Sequence, residues 1–249
     1  MSNITGIGII GAPDLYSATA TPGEGLMVGQ LAWDGKVGKA FRYVYNGDVA
    51  LIKGNLLQEM IEDTGFNNMT VGTAGVVGDS YIQVTNHDVT ITQAQYMGGS
   101  IGVYTAGTVA VGDEYTIVGL GGTLTTGGAM KVYTDRPLRY AFTTSATVNV
   151  KKSPWSGVIQ TPTTTATGMC VGGAIYEIPA NYYGWVQTHG VFTMLSDNST
   201  FAVASMLDSM GDAAGAGSVF AAGTGHQTIG VSRTANATTK GIPVFLQID

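Results

Sequence analysis

Hydrophobic and polar residues alternate along most of the chain, in short runs separated by turn residues. LMVGQLAW (26–33), KAFRYVYN (39–46) and DVALIKGNLLQ (48–58) are rich in β-branched and aromatic side chains. Asp34-Gly35 and Asn46-Gly47 divide them, and such pairs signal hairpins because their residues tolerate positive φ. Between 69 and 152 the period-two runs are YIQVTN, DVTITQ, GVYTAG, EYTIV, AMKVYT, RYAFTT and TVNVKK. A third block holds CVGGAIYEI (170–178), YGWVQTHGVFTML (183–195), TFAVASMLD (200–208), GSVFAAG (217–223), QTIGVSR (227–233) and IPVFLQI (242–248). Short strands at regular spacing predict an all-β protein built of β-sandwich or β-barrel units. One helix is predicted: NLLQEMIED (55–63) puts Leu56, Leu57, Met60 and Ile61 on one helical face.

The pattern also predicts boundaries. Residues 1–25 carry seven scattered Gly and Pro, from Gly6 to Gly25, and read as an extended N-terminal arm. A β-rich domain is expected over 26–152. Pro154, Pro162 and a Thr run mark 153–168 as a linker, and 169–249 is expected to form a second β-rich unit. No repeat of solenoid or propeller length is present.

Composition narrows the function. Of 249 residues, 37 are Gly, 44% are hydrophobic and only 11% are charged. Disorder needs the opposite balance, and so much Gly and Thr disfavours helices. With 11 Lys and Arg against 17 Asp and Glu, the net charge is −6. Nucleic-acid binding relies on clustered cations, so no nucleic-acid partner is expected. No apolar stretch reaches the ~20 residues of a membrane helix, so no membrane partner is expected either. Lacking a basic stretch before its first apolar run, the N-terminus does not read as a signal peptide, and synthesis in a cytoplasm is expected. Interface cores are depleted of charge. A chain this uncharged reads as part of an assembly.

Candidate chemistry is thin. GIGIIG (6–11) spells G-x-G-x-x-G without the strand and helix that a dinucleotide site needs. Gly98-Gly99-Ser100-Ile101-Gly102 matches G-x-S-x-G, again without strand–turn–helix context. His87, His189 and His226 lie far apart and in no metal-ligand spacing. Cys170, the single cysteine, reads as a buried small hydrophobe. The acidic residues form no calcium loop. The N-x-[ST] sequons at Asn3, Asn68, Asn198 and Asn236 carry no weight without a signal peptide. No catalytic residue, metal or cofactor is expected. The aromatics Tyr182, Tyr183, Trp185, Trp33 and Trp155 are the candidate interface residues. The other use of such rings is a stacking platform for sugars. Core or interface packing is expected, because Trp185 leads into period-two alternation rather than a polar loop.

KAFRYVYNGDVALIKGNLLQ (39–58), RPLRYAFTTSATVNVKKSPWSGVIQ (136–160), YYGWVQTHGVFTML (182–195) and GIPVFLQID (241–249) resemble head decoration, or cement, proteins of tailed bacteriophages, of the aquatic-phage type. The resemblance spans most of 26–249, and Tyr-Gly-Trp-Val-Gln-Thr-His-Gly is its most specific part. It implies a non-enzymatic virion protein on the capsid exterior, bound to the major capsid protein. It also implies a homotrimer at local three-fold positions. On that expectation residues 1–25 are the arm that reaches neighbours. The competing class is a receptor- or glycan-binding β-protein, such as a phage fibre tip or a surface adhesin. A β-fold hydrolase ranks below both, since no pair of carboxylates or His-centred site is evident.

Overall fold

A computed structural model describes residues 14–85, 90–104, 110–163, 165–197, 200–221, 226–235 and 241–249. GIGIIG, His87 and the asparagines of the sequons at 3, 198 and 236 lie outside them. The protein is nearly all β, as the alternation predicted. It divides into two compact units: unit 1 is Met1–Ile61 with Pro154–Asp249, and unit 2 is Glu62–Ser153.

In unit 1 the strands are β1 (Leu31–Asp34), β2 (Lys39–Asn46) and β3 (Leu56–Gln58), all preceding unit 2 in the chain. Unit 2 holds β4 (Met69–Thr70), β5 (Tyr81–Thr85), a single helical turn α1 (Gln93–Tyr96), β6 (Ser100–Val103), β7 (Glu114–Gly122), β8 (Ala129–Thr134) and β9 (Thr147–Lys151). The chain then returns to unit 1 with β10 (Ser156–Gln160), β11 (Cys170–Ala174), β12 (Tyr183–Leu195), β13 (Met206–Asp208), β14 (Ser218–Val219), β15 (Thr228–Ser232) and β16 (Gly241–Gln247).

Five strands of unit 1 close on themselves. β2 pairs with β10, β10 with β3, β3 with β11, β11 with β12, and β12 returns to β2. Each contributes to one buried cluster: Val44 from β2, Leu57 from β3, Val158 from β10, Val171 and Ala174 from β11, and Val186 from β12. A closed ring leaves no free sheet edge among its members. From β12 the sheet continues through β16, β15, β13 and β14. That extension covers a second cluster that includes Leu56, Phe192, Phe201, Leu207, Ile229 and Val244.

Unit 2 closes as well. Its antiparallel order is β4-β9-β6-β7-β8-β5, and the bridge Val71↔Val84 joins the end of β4 to β5. The alternate residues Ile82, Val84, Ile101, Val103, Met130, Val132, Val148 and Val150 fill one interior, with Tyr96 and Phe66 packed ring to ring at 5.3 Å.

Several sequence expectations change. Of the expected helix 55–63, residues 56–58 are strand and the others are irregular. Leu56 faces one cluster and Leu57 the other, so a strand sandwiched between two cores shows adjacent apolar residues that imitate a helical face. The expected linker 153–168 contains β10, which pairs on both sides inside the ring. Its Pro and Thr lie outside that strand. The expected domain 26–152 is divided, because 26–61 folds with 154–249. Of DVTITQ, the described residues 90–92 are irregular and Gln93 opens α1, where the Gln95 side chain accepts from Thr92 N at 3.4 Å. RYAFTT makes only the single bridge Phe142↔Gly75.

β3 and β10 are antiparallel neighbours, so unit 2 is an insertion between the two strands of a hairpin. Residues 62–153 expressed alone are expected to give a dispersed amide spectrum and a cooperative melt. Replacing them by a short Gly-containing turn is expected to leave unit 1 folded. A collapsed spectrum from either piece contradicts two self-sufficient cores.

Candidate functional site

Of the candidate interface residues, Tyr183 and Trp185 lie on β12, with Tyr182 just before it, and β12 pairs antiparallel with β2 in the register Tyr183↔Tyr45 and Trp185↔Tyr43. Period two puts the four rings on one face of the sheet. Tyr43 stacks on Tyr183 with centroids 6.0 Å apart and tilts against Trp185 at 5.1 Å, while Tyr45 meets Tyr183 at 4.8 Å. Cross-strand aromatic pairs of this kind add about 0.5–1.5 kcal/mol beyond burial.

The N-terminal segment covers this ladder. Leu15 and Leu26 pack against it with Ala32 and Phe41. Thr19 exchanges both backbone bonds with Tyr183, and Gly23 N donates to Tyr43 Oη at 3.0 Å. The Tyr176 hydroxyl ties the layers together: it donates to Ser17 O and accepts from Trp185 N, each at 3.0 Å. The described part of the expected arm, 14–25, is therefore clasped to its own chain. Residues 1–13 lie outside the described ones.

The five candidate residues do not form one surface. Trp185 is only 1% exposed and belongs to the core. Tyr183 is half-buried in the ladder, and its hydroxyl pKa is raised by burial and by the neighbouring Tyr45 and Tyr43. Tyr182 and Trp155 are half-buried against the other side of the ring, on the Val44–Val186 cluster. The Arg42 guanidinium lies 5.1 Å over the Trp155 ring, donates to Gly29 O at 2.9 Å and pairs with Asp249 at 3.0 Å. Trp33 alone is exposed, on β1, beside His189 at 6.0 Å. Tyr43 and Tyr45 are the ladder residues missed in the sequence. Their signal was available, because Tyr-x-Tyr in KAFRYVYN mirrors Tyr-x-Trp at 183–185.

Chemistry elsewhere is sparse. Cys170 is buried, and burial pushes its thiol pKa up to about 12, far from a reactive thiolate. Among the described residues no group of His, Cys, Asp and Glu is arranged to hold a metal. His226 Nδ1 lies 2.9 Å from Asp208 Oδ2, and Asp208 Oδ1 accepts from Met210 N at 3.1 Å. That pair brings β13 and the lead into β15 together, a role that spacing alone did not show. An open pocket of about 270 Å³ in unit 1 is lined by Tyr16, Lys39, Lys53 and Gln187 among others. No helix of the described residues is long and apolar enough to cross a membrane.

Compared with protein-family models, with curated proteins and with solved structures, the chain has no match. The all-β architecture thus stands on the coordinates themselves.

Trp185→Ala removes a fully enclosed ring, and large-to-small core changes of this type cost about 3–5 kcal/mol. Urea unfolding is expected to show a loss of that size, and an unchanged midpoint contradicts the assignment of Trp185 to the core. Alkaline pH supplies a second check. The folded state holds Cys170 and Tyr176 protonated to about 12, against ordinary values of 9.0 and 10.0. The unfolded chain ionises first, so this stabilisation is complete below pH 9 and is lost as pH rises to about 12. The midpoint is expected to fall across that window, less steeply in Cys170→Ala.

Proposed function

We propose that the protein is a non-enzymatic structural component that binds the outside of a bacteriophage capsid and stabilises it, as a homotrimer at local three-fold positions. The observation that carries this reading is the placement of apolar side chains at turns, where polar residues are the norm. Val37 is 59% exposed, Val77 61% and Val203 65%, each in a turn. In an isolated chain they gain nothing. Buried in a contact, each valine contributes on the order of 1.5–3 kcal/mol, and symmetric repetition of the contact multiplies the effective affinity. The low charge content fits a surface of which much is covered in the assembled state. The resemblance of 39–58, 136–160, 182–195 and 241–249 to cement proteins points the same way.

Closed β-units suit that task mechanically. A cement protein resists outward pressure on a shell by adding interface area, and a closed ring transmits load without offering an edge for unwanted pairing. The partners on this reading are the major capsid protein and further copies of the chain.

Co-sedimentation with capsids assembled from the shell protein of the same source tests the proposal. Saturable binding at a fixed ratio to shell subunits is expected, with particles that survive higher temperature. Capsids that pellet while the protein stays in solution contradict it and favour the receptor-binding class.

A further inference from the structure

Unit 2 carries an aromatic site on the outside of its barrel. In register, Tyr81 opposes Tyr133 and Gln83 opposes Lys131 across β5 and β8, while Gly119 and Gly121 oppose Tyr133 and Lys131 across β7 and β8. The intervening residues Ile82, Val84, Met130 and Val132 are in the core, so these side chains share the outer face. β7 offers no side chain at 119 and 121, and the Tyr133 ring lies in the space left free. A Cβ on Gly119 would stand 3.6 Å from Tyr133 Cδ2, and one on Gly121 2.9 Å from Cε2. Tyr81 meets the ring edge-on at 5.9 Å. Tyr133 is thereby fixed from two sides and still 38% exposed.

We propose that this face binds a pyranose sugar, with the Tyr133 ring as its stacking surface. A pyranose presents C–H groups on a face and hydroxyls around the rim. The ring matches the first through weak C–H contacts with its π-system. The rim is matched by groups that donate and accept hydrogen bonds. Gln83 and Lys131 form the next cross-strand pair, and Gln93 Nε2 lies 4.0 Å from where a Gly119 Cβ would be. The Lys131 ammonium sits 4.5 Å from the Tyr81 ring centroid, which restrains it beside the platform. Among the described residues it forms no ion pair with a carboxylate, so its N–H groups remain available to a sugar hydroxyl or a uronate carboxylate.

A ring that merely shields backbone glycines would also lie here, and the two roles part in solution. Saturation-transfer NMR on the full chain, with neutral methyl pyranosides and uronate disaccharides as separate arms, reads sugar binding directly. Transfer is expected to the C–H protons of one sugar face, and the amides of Gly119 and Gly121 are expected to shift on titration. Tyr133→Ala is expected to lose the transfer, and Tyr133→Phe to keep it. Should Tyr133→Ala fail to fold, the wild-type amide map decides alone. No transfer from any sugar, shifts centred elsewhere, or full transfer in a folded Tyr133→Ala overturns the proposal. Capsid binding is read separately, so failure of either claim leaves the other standing.

Discussion

The ladder between β12 and β2 is the contact on which unit 1 depends. Without it, β2, β10, β3, β11 and β12 would be an open strip whose small interior, Val44 to Val186, would face water. With it the strip becomes a ring. β12 then continues past the ring to pair with β16 over 189–195, which holds the extension and its separate cluster. One thirteen-residue strand thus serves three buried clusters of unit 1, through Trp185, Val186 and Phe192. The handover occurs at a bulge between Gln187 and His189. There the Gln187 side-chain amide donates to His189 O and Val191 O, each at 2.9 Å, and supplies partners that the ladder drops. Gly190, at φ +91°, follows at once, and a Cβ there would stand 3.1 Å from Lys39 Cγ and 3.3 Å from Lys39 Cα. Only glycine lets β12 bend so close to β2.

Much of the strand content was legible in the sequence, because most strands bury one face. KAFRYVYN, AMKVYT and YGWVQTHGVFTML coincide with β2, β8 and β12. Illegible parts have specific causes. β3 is buried on both faces, so Leu56-Leu57 lacks alternation. β10 is short and flanked by Pro, and looks like a linker although it pairs on both sides. The interruption of unit 1 by unit 2 leaves no local mark, since β3 and β10 meet only in the fold. Of the candidate site, Trp185 and Tyr183 read as interface residues in the sequence, and the fold packs both within their own chain. Their grouping with Trp33 and Trp155 rested on residue type, and type does not say which side of a ring a side chain takes.

Closure also explains how so uncharged a chain manages its surface. Exposed strand edges invite pairing with other chains, and proteins commonly blunt them with Lys or Pro. Charge is scarce here at 11%, and closure removes part of that liability instead: unit 2 closes through the Val71↔Val84 bridge, and among the described residues the ring of unit 1 leaves ends only at β1, which pairs with β2, and at β14, the last strand of the extension. Apolar groups at the turns are then tolerable, and on the account proposed here they have a purpose at an assembled interface.

A cryo-electron reconstruction of capsids saturated with the protein tests that account most directly. It predicts extra density on the outer surface at local three-fold positions, three chains to a site, with turns such as 35–38 or 76–79 against the shell or a neighbouring copy. A shell whose outer surface is bare at those positions contradicts it.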